Sequence, residues 1–109
     1  MKVVSILGAV GSGKSFAAKQ FSAPLFNADD EVKKIYNKDK NCFFKLRKVL
    51  PKFINSFPIK KKELVNSIIS KKKNLNEINK IVHPIVRLKM NKFLYKNKDK
   101  KIVVLDIPL

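Results

Sequence analysis

The sequence has few acidic residues, few arginines and a single cysteine. Eight Asp and Glu residues oppose 25 Lys and Arg residues, which gives a formal net charge of +17. This excess favours polyanionic partners in general but selects no class among them. Arginine occurs only as Arg47 and Arg87, so the forked contacts that specific nucleic-acid recognition uses are scarce. The composition therefore argues against nucleic acid as the partner, and a solvated lysine-rich surface remains the simpler interpretation.

The lone cysteine and the absence of a long apolar run limit the cellular setting. Cys42 has no second cysteine to pair with, so we expect a small buried residue in a protein of the reducing cytoplasm. No window approaches the ~20 apolar residues of a membrane span, so we expect no membrane partner. The apolar start resembles a secretory signal, but Gly11-Ser12-Gly13-Lys14 breaks it and no cleavage pattern follows.

The pattern of apolar residues predicts an α/β fold. Runs rich in β-branched residues predict short buried strands, at residues 3–7, 25–26 and 102–105. Helical spacing predicts helices at residues 13–21 and 29–36, and others between residues 43 and 95. Pro84 interrupts the last pattern, and we expect it in the first turn of a new helix. Strands separated by helices predict a parallel sheet with right-handed crossovers.

A phosphate-binding motif follows the first predicted strand. Gly8, Gly13, Lys14 and Ser15 satisfy the P-loop pattern G-x-x-x-x-G-K-[ST] between a predicted strand and a predicted helix. In such a loop, backbone N–H groups and the helix N-terminus surround the phosphates. Lys14 would reach the β and γ oxygens, and the Ser15 hydroxyl would hold Mg²⁺. The pattern thus favours a nucleoside triphosphate site over a structural glycine turn.

Phosphoryl transfer also requires a base near the acceptor, and Asp29 is the candidate. It follows the second predicted strand within Asn27-Ala28-Asp29-Asp30, where a carboxylate could reach across the loop. Aspartate is equally common as a helix cap. Spacing alone does not separate the two roles.

Taken together, separate segments of the chain resemble the dephospho-coenzyme A kinase family. The segments are the P-loop, Asn27-Ala28-Asp29, Ile81-Val82-His83-Pro84-Ile85-Val86-Arg87 and Val104-Leu105-Asp106-Ile107-Pro108-Leu109. The resemblance implies a P-loop NTPase-type parallel sheet with flanking helices. It also implies one partial P-loop kinase domain over residues 1–109, with residues 38–100 as a helical acceptor-binding insertion.

The implied reaction is transfer of the γ-phosphate of ATP to the ribose 3′-hydroxyl of dephospho-coenzyme A, with Asp29 as the general base. The residues implied to line the ATP phosphate site are Gly11, Ser12, Gly13, Lys14, Ser15 and Phe16, and Ser15 would hold Mg²⁺. His83 and Arg87 would belong to the acceptor-binding region. From the residues alone, His83 could as well be a helix-joining or capped core residue, and Arg87 could pair with a carboxylate or a phosphate.

The chain also departs from the family pattern. Asn27 stands where the family usually has Asp, which leaves Asp29 as the only base candidate at that site. Phe16 stands where the family usually has Thr and so replaces a hydroxyl near the phosphates. The family continues past Asp-Ile-Pro-Leu with further strands, an arginine-bearing lid and an adenine-contacting loop. We therefore expect an incomplete fold in which the last strand exposes a sheet edge open to self-association.

Three functions follow as hypotheses from the sequence. The chain could be the kinase itself, a nucleotide-binding module without turnover, or a basic nucleic-acid-binding protein with an incidental P-loop. The last has no aromatic-rich basic stripe to support it.

Overall fold

The computed structural model describes residues 2–7, as backbone, and residues 23–107. Within these ranges the chain forms three strands and four helices: β1 Lys2–Leu7, β2 Leu25–Asn27, α1 Ala28–Lys38, α2 Lys40–Val49, α3 Lys61–Ser70, α4 Lys73–Lys96 and β3 Ile102–Ile107. The P-loop motif, Phe16 and the predicted helix at residues 13–21 lie outside the described residues. None of the described helices is long and apolar enough to cross a membrane.

The three described strands form one parallel sheet in the order β1-β3-β2. This confirms the predicted α/β class. The expectation that the last strand lies at the sheet edge is wrong, because β3 is hydrogen-bonded to a strand on both sides. The crossover places β3 between the two earlier strands, and its burial explains the apolar run at residues 102–105. Among the described strands the edges are β1 and β2, and self-association through a sheet edge stays a prediction.

The chain divides into two compact units. The first, which we call the sheet unit, comprises Met1–Glu31 and Arg87–Leu109, and the second, the helical unit, comprises Val32–Val86. Among the side chains that the structure describes in the sheet unit, the buried apolar ones are Phe26, Ala28, Val103, Val104 and Leu105. The ring of Phe26 packs against the ring of Phe93, with 5.5 Å between the two ring centroids. The helical insertion that the sequence predicted at residues 38–100 has different bounds from the helical unit, and its role in acceptor binding stays a prediction.

The helical unit has its own apolar core. The buried members come from all four helices and the α2–α3 connection: Ile35, Cys42, Phe43, Leu46, Leu50, Ile54, Ile59, Leu64, Ile78 and Val82. Asp39 caps α2, because its Oδ1 accepts a 2.9 Å hydrogen bond from the backbone N–H of Cys42. Cys42 is fully buried, as the sequence predicted.

The connection between α2 and α3 is held by one carboxylate. Glu63 accepts hydrogen bonds from the backbone N–H groups of Asn55, at 3.1 Å, and Ser56, at 3.3 Å. The N–H of Ile59 donates to the carbonyl of Tyr36 at 3.0 Å. These bonds satisfy backbone groups of a segment that belongs to no helix or strand.

Helix α4 corrects one sequence expectation. Pro84 does not begin a new helix, since it lies inside the continuous helix Lys73–Lys96. A proline there lacks the N–H that would bond to the carbonyl four residues earlier. Buried Ile78 and Val82, and the half-buried Ile81, Ile85 and Val86 that pack on the same core, extend the apolar face past the proline. This packing holds the helix together despite the lost hydrogen bond.

Candidate active site

The carboxyl ends of the three described strands lie level with one another. In the sheet register Leu7 pairs with Ile107, and Asn27 pairs with Asp106. The P-loop motif begins at Gly8, the residue that follows Leu7 in the sequence. Ligands of open parallel α/β sheets bind beyond the carboxyl ends of the strands. We therefore take this edge of the sheet unit, which we call the carboxyl edge, as the candidate active site.

Asn27 links two elements at the carboxyl edge. Its Nδ2 donates a 3.0 Å hydrogen bond to Oδ2 of Asp106 on β3. Its Oδ1 accepts a 3.0 Å hydrogen bond from the backbone N–H of Asp30 in the first turn of α1. The second bond is a helix N-cap, for which asparagine is among the preferred residues. One amide therefore ties the end of β3 to the start of α1.

Asp106 is a buried carboxylate that the sequence analysis did not assign to a role. Only 7% of the residue is exposed, and its backbone lies in the register of both neighbouring strands, opposite Ile6 and Asn27. Buried carboxylates require charge or hydrogen-bond partners, and Asn27 supplies one such bond. The sequence signal for Asp106 was an acidic residue within an otherwise apolar strand. Burying a carboxylate costs free energy unless it is paired, so such a residue indicates a specific role.

Asp29 lies in the first turn of α1 and is exposed. Asp30 and Glu31 accompany it, and negative charges at this end of a helix are stabilised by its dipole. The capping role that the sequence left open for Asp29 is filled by Asn27. Asp29 is thus presented to solvent two residues beyond the strand end, where its carboxylate can take a proton from a bound hydroxyl group.

The two predicted acceptor residues, His83 and Arg87, are both exposed on α4, one helical turn apart. Arg87 belongs to the sheet unit, together with Asn27, Asp29 and Asp106, whereas His83 belongs to the helical unit. Among the predicted site residues that the structure describes, Asp29, His83 and Arg87, no side-chain hydrogen bond joins one to another. Their role in acceptor binding stays a prediction.

The donor atoms at the carboxyl edge suit a hard cation. Carboxylates, amide oxygens and hydroxyls are the groups that Mg²⁺ prefers, and Mg²⁺ bound with nucleotides usually needs only one or two protein carboxylates. Within residues 23–107 no group of three or more His, Cys, Asp or Glu side chains forms a metal cluster. Among the described residues the edge offers one buried carboxylate, Asp106, which fits a cation whose other ligands are phosphate oxygens and water.

Among the residues that the structure describes, the strongly shifted ionisable groups belong to the helical unit. Burial, with a smaller contribution from the charge of Asp39, raises the pKa of the Cys42 thiol to about 11. Burial also raises the pKa of Tyr36 to about 12. Both groups belong to the helical core or pack against it, so their shifts reflect desolvation by packing.

Comparison with known proteins supports these assignments of fold and family. The family model described as dephospho-CoA kinase matches residues 2–109. A dephospho-CoA kinase of Bartonella quintana is 32% identical over all of this chain and 58% of its own length. One from Wolbachia pipientis is 31% identical over 98% of this chain and 57% of its own. The chain thus spans somewhat more than half the length of these curated relatives.

A solved structure shares the fold. The crystal structure of a Thermus thermophilus protein superposes on this chain with a TM-score of 0.75 at 24% identity. The match covers 98% of this chain and 56% of that protein.

Proposed function

The chain belongs to the dephospho-CoA kinase family, and we propose that it transfers the γ-phosphoryl group of ATP to the ribose 3′-hydroxyl of dephospho-CoA. The products are coenzyme A and ADP. One observation carries the proposal for this chain: Asp29 follows β2 at the same edge at which the P-loop motif begins. The exposed carboxylate and the start of the motif thus follow strands that end at the same edge of the sheet.

Asp29 is the general base in this proposal. The 3′-hydroxyl gives its proton to the Asp29 carboxylate while its oxygen attacks the γ-phosphorus in line with the leaving oxygen of ADP. General-base catalysis contributes about 10²–10⁴-fold to such rates. The N-cap formed by Asn27 favours this role, because it leaves the neighbouring Asp29 carboxylate exposed.

The P-loop residues bind and orient the phosphates. In this proposal the backbone N–H groups of Gly11, Ser12, Gly13 and Phe16 would donate to the phosphates, and Lys14 would neutralise charge on the β and γ oxygens. Ser15 and Asp106 supply oxygen ligands for Mg²⁺, either directly or through water. Bound Mg²⁺ would supply stabilisation of the negative charge that develops during phosphoryl transfer.

The acceptor is held by cationic groups in this proposal. Arg87 is exposed in the sheet unit and suits a phosphate of dephospho-CoA through its forked N–H groups. His83, one turn earlier on α4, adds a further donor to the acceptor region. A cytoplasmic place of action is also proposed, and the single buried cysteine supports it.

Nucleotide binding without turnover is the second candidate function. The observation behind it is that the chain spans 58% of a relative's length, so groups that assist transfer in the longer proteins need not all lie within residues 1–109. Arginines that stabilise transferring phosphoryl groups contribute several kcal/mol, on the order of 10³-fold or more in rate.

An end-point assay with Mg·ATP and dephospho-CoA, read by the mass of coenzyme A, separates the two functions. Calorimetry with Mg·ATP runs in parallel, on wild type, Lys14→Ala and the loop control Lys72→Ala. The kinase forms coenzyme A, and the binding module takes up Mg·ATP without product. In both cases Lys14→Ala weakens Mg·ATP binding and Lys72→Ala does not. Binding that is unchanged in Lys14→Ala contradicts both functions.

A further inference from the structure

Asn27 uses both ends of its side-chain amide within the sheet unit. The donor end reaches Asp106 at 3.0 Å, and the acceptor end receives the N–H of Asp30 at 3.0 Å. Asn27 and Asp106 are register partners in the parallel strand pair β2–β3, so the backbone already brings them side by side. The amide adds a fixed orientation of the carboxylate to this fixed spacing.

Only a side chain with both a donor and an acceptor can make these two bonds. Serine at this position could still cap α1 but is too short to reach Asp106 as well. Aspartate could cap α1, but it would place a second carboxylate about 3 Å from Asp106, where like charges oppose each other. A cation or a proton would then have to hold the two carboxylates together.

We propose that Asn27 is a positioning residue that orients the Asp106 carboxylate without any metal ion, so that the carboxyl edge is organised before Mg·ATP arrives. This rests on the proposed function for the identity of the nucleotide, but the orientation itself does not depend on turnover. The same amide fixes the first turn of α1 and with it the backbone of Asp29. The Asp106 carboxylate would then already be in place to hold a Mg²⁺ ion that accompanies the nucleotide.

The test compares Asn27→Asp and Asn27→Ser with Asn66→Asp, which changes an exposed asparagine of α3. Thermal unfolding is followed without nucleotide at about pH 7.5. Each protein is measured once in EDTA and once in about 10 mM MgCl₂. We expect Asn27→Asp to lower the Tm by about 5 °C in EDTA and to regain most of it with Mg²⁺. Wild type and Asn66→Asp respond little to Mg²⁺ alone.

Asn27→Ser provides the readout that a purely structural role would not move. Below its unfolding transition, it should bind Mg·ATP about 5-fold or more weakly than wild type, because one charge-assisted bond to Asp106 is gone while the cap remains. Asn66→Asp should bind Mg·ATP as wild type does. The affinities are measured by calorimetry at a temperature at which every variant is folded.

Two results overturn the proposal. In the first, Mg²⁺ alone raises the Tm of wild type as much as it raises the Tm of Asn27→Asp, or Asn27→Asp and Asn66→Asp have the same Tm in EDTA. In the second, Asn27→Ser binds Mg·ATP as wild type does, which would make the amide a structural link only. If wild type binds no Mg·ATP, the proposed function fails, and the comparison of EDTA with Mg²⁺ alone decides the role of Asn27.

Discussion

Asn27 donates a 3.0 Å hydrogen bond to the carboxylate of Asp106, a residue 79 positions later in the chain. The bond joins the carboxyl ends of two neighbouring parallel strands. Because the same amide caps α1, the strand ends and the first helical turn form one hydrogen-bonded group. The position of Asp29 therefore depends on a long-range contact as well as on its own helix.

Removing the Glu63 carboxylate should destabilise the helical unit. Glu63→Ala leaves the N–H groups of Asn55 and Ser56 without this acceptor and should lower the free energy of unfolding by about 1–2 kcal/mol in urea titrations. The control is Glu77→Ala, which breaks an exposed 3.5 Å pair with Lys80 and should cost less than about 0.5 kcal/mol. Equal losses in the two variants would show that the bonds of Glu63 contribute nothing specific.

Replacing Pro84 should stabilise the chain. Pro84 is exposed inside α4, so Pro84→Ala restores a backbone N–H without removing a buried side chain. We expect a gain of about 1–3 kcal/mol in the free energy of unfolding. Lys92→Ala, an exposed change on the same helix, should alter it by only about 0.3 kcal/mol. A loss of stability in Pro84→Ala would mean that the helix requires the proline.

Stability should fall at high pH partly because of Cys42. Burial raises the pKa of the thiol from its ordinary value of 9.0 to about 11 in the folded chain, so the unfolded chain loses the thiol proton first. The contribution is therefore fully present below about pH 9 and is lost as the pH rises toward 11.

The measurement for Cys42 is urea unfolding at pH 8 and pH 10.5, on wild type and Cys42→Ala. We expect the fall in unfolding free energy to be smaller by about 1–2 kcal/mol in Cys42→Ala, which has no thiol to ionise. Burial raises the pKa of Tyr36 in both proteins, so that part cancels in the difference, whereas the smaller contribution of the Cys42 charge to the Tyr36 pKa is lost with the thiol and is counted with it. Parallel curves for the two proteins would refute the assignment.

The sheet and the burial of Cys42 could be predicted from sequence because local patterns determine them. The β-branched runs that become β1 and β3 can be recognised as strands from their local composition alone. Cys42 is small and apolar, which is typical of a buried residue. Pro84 shows the limit of this approach. The local rule for proline predicted a helix boundary, and only the core contacts of Val82 and Ile85 explain why the helix continues.

The candidate site was predictable in part. Asp29 follows a strand, and that position alone marked it as a candidate. Asp106 gave a weaker signal, because it ends an apolar run whose role in the sheet is not evident locally. The position of this strand between β1 and β2 results from the crossover. The cap made by Asn27 could be anticipated from its place before a helix, but its bond to Asp106 could not, since no local pattern relates two residues 79 positions apart.

The most direct test of the account is the formation of coenzyme A by Asp29→Asn, with Asp99→Asn, a change in an exposed turn, as the matched control. Product is measured by mass with Mg·ATP and dephospho-CoA at saturating concentrations, and Mg·ATP affinity is measured alongside. The account predicts that wild type and Asp99→Asn form coenzyme A, and that Asp29→Asn loses about 10²-fold or more of the rate while it still binds Mg·ATP. Coenzyme A formed by Asp29→Asn at the wild-type rate would contradict it.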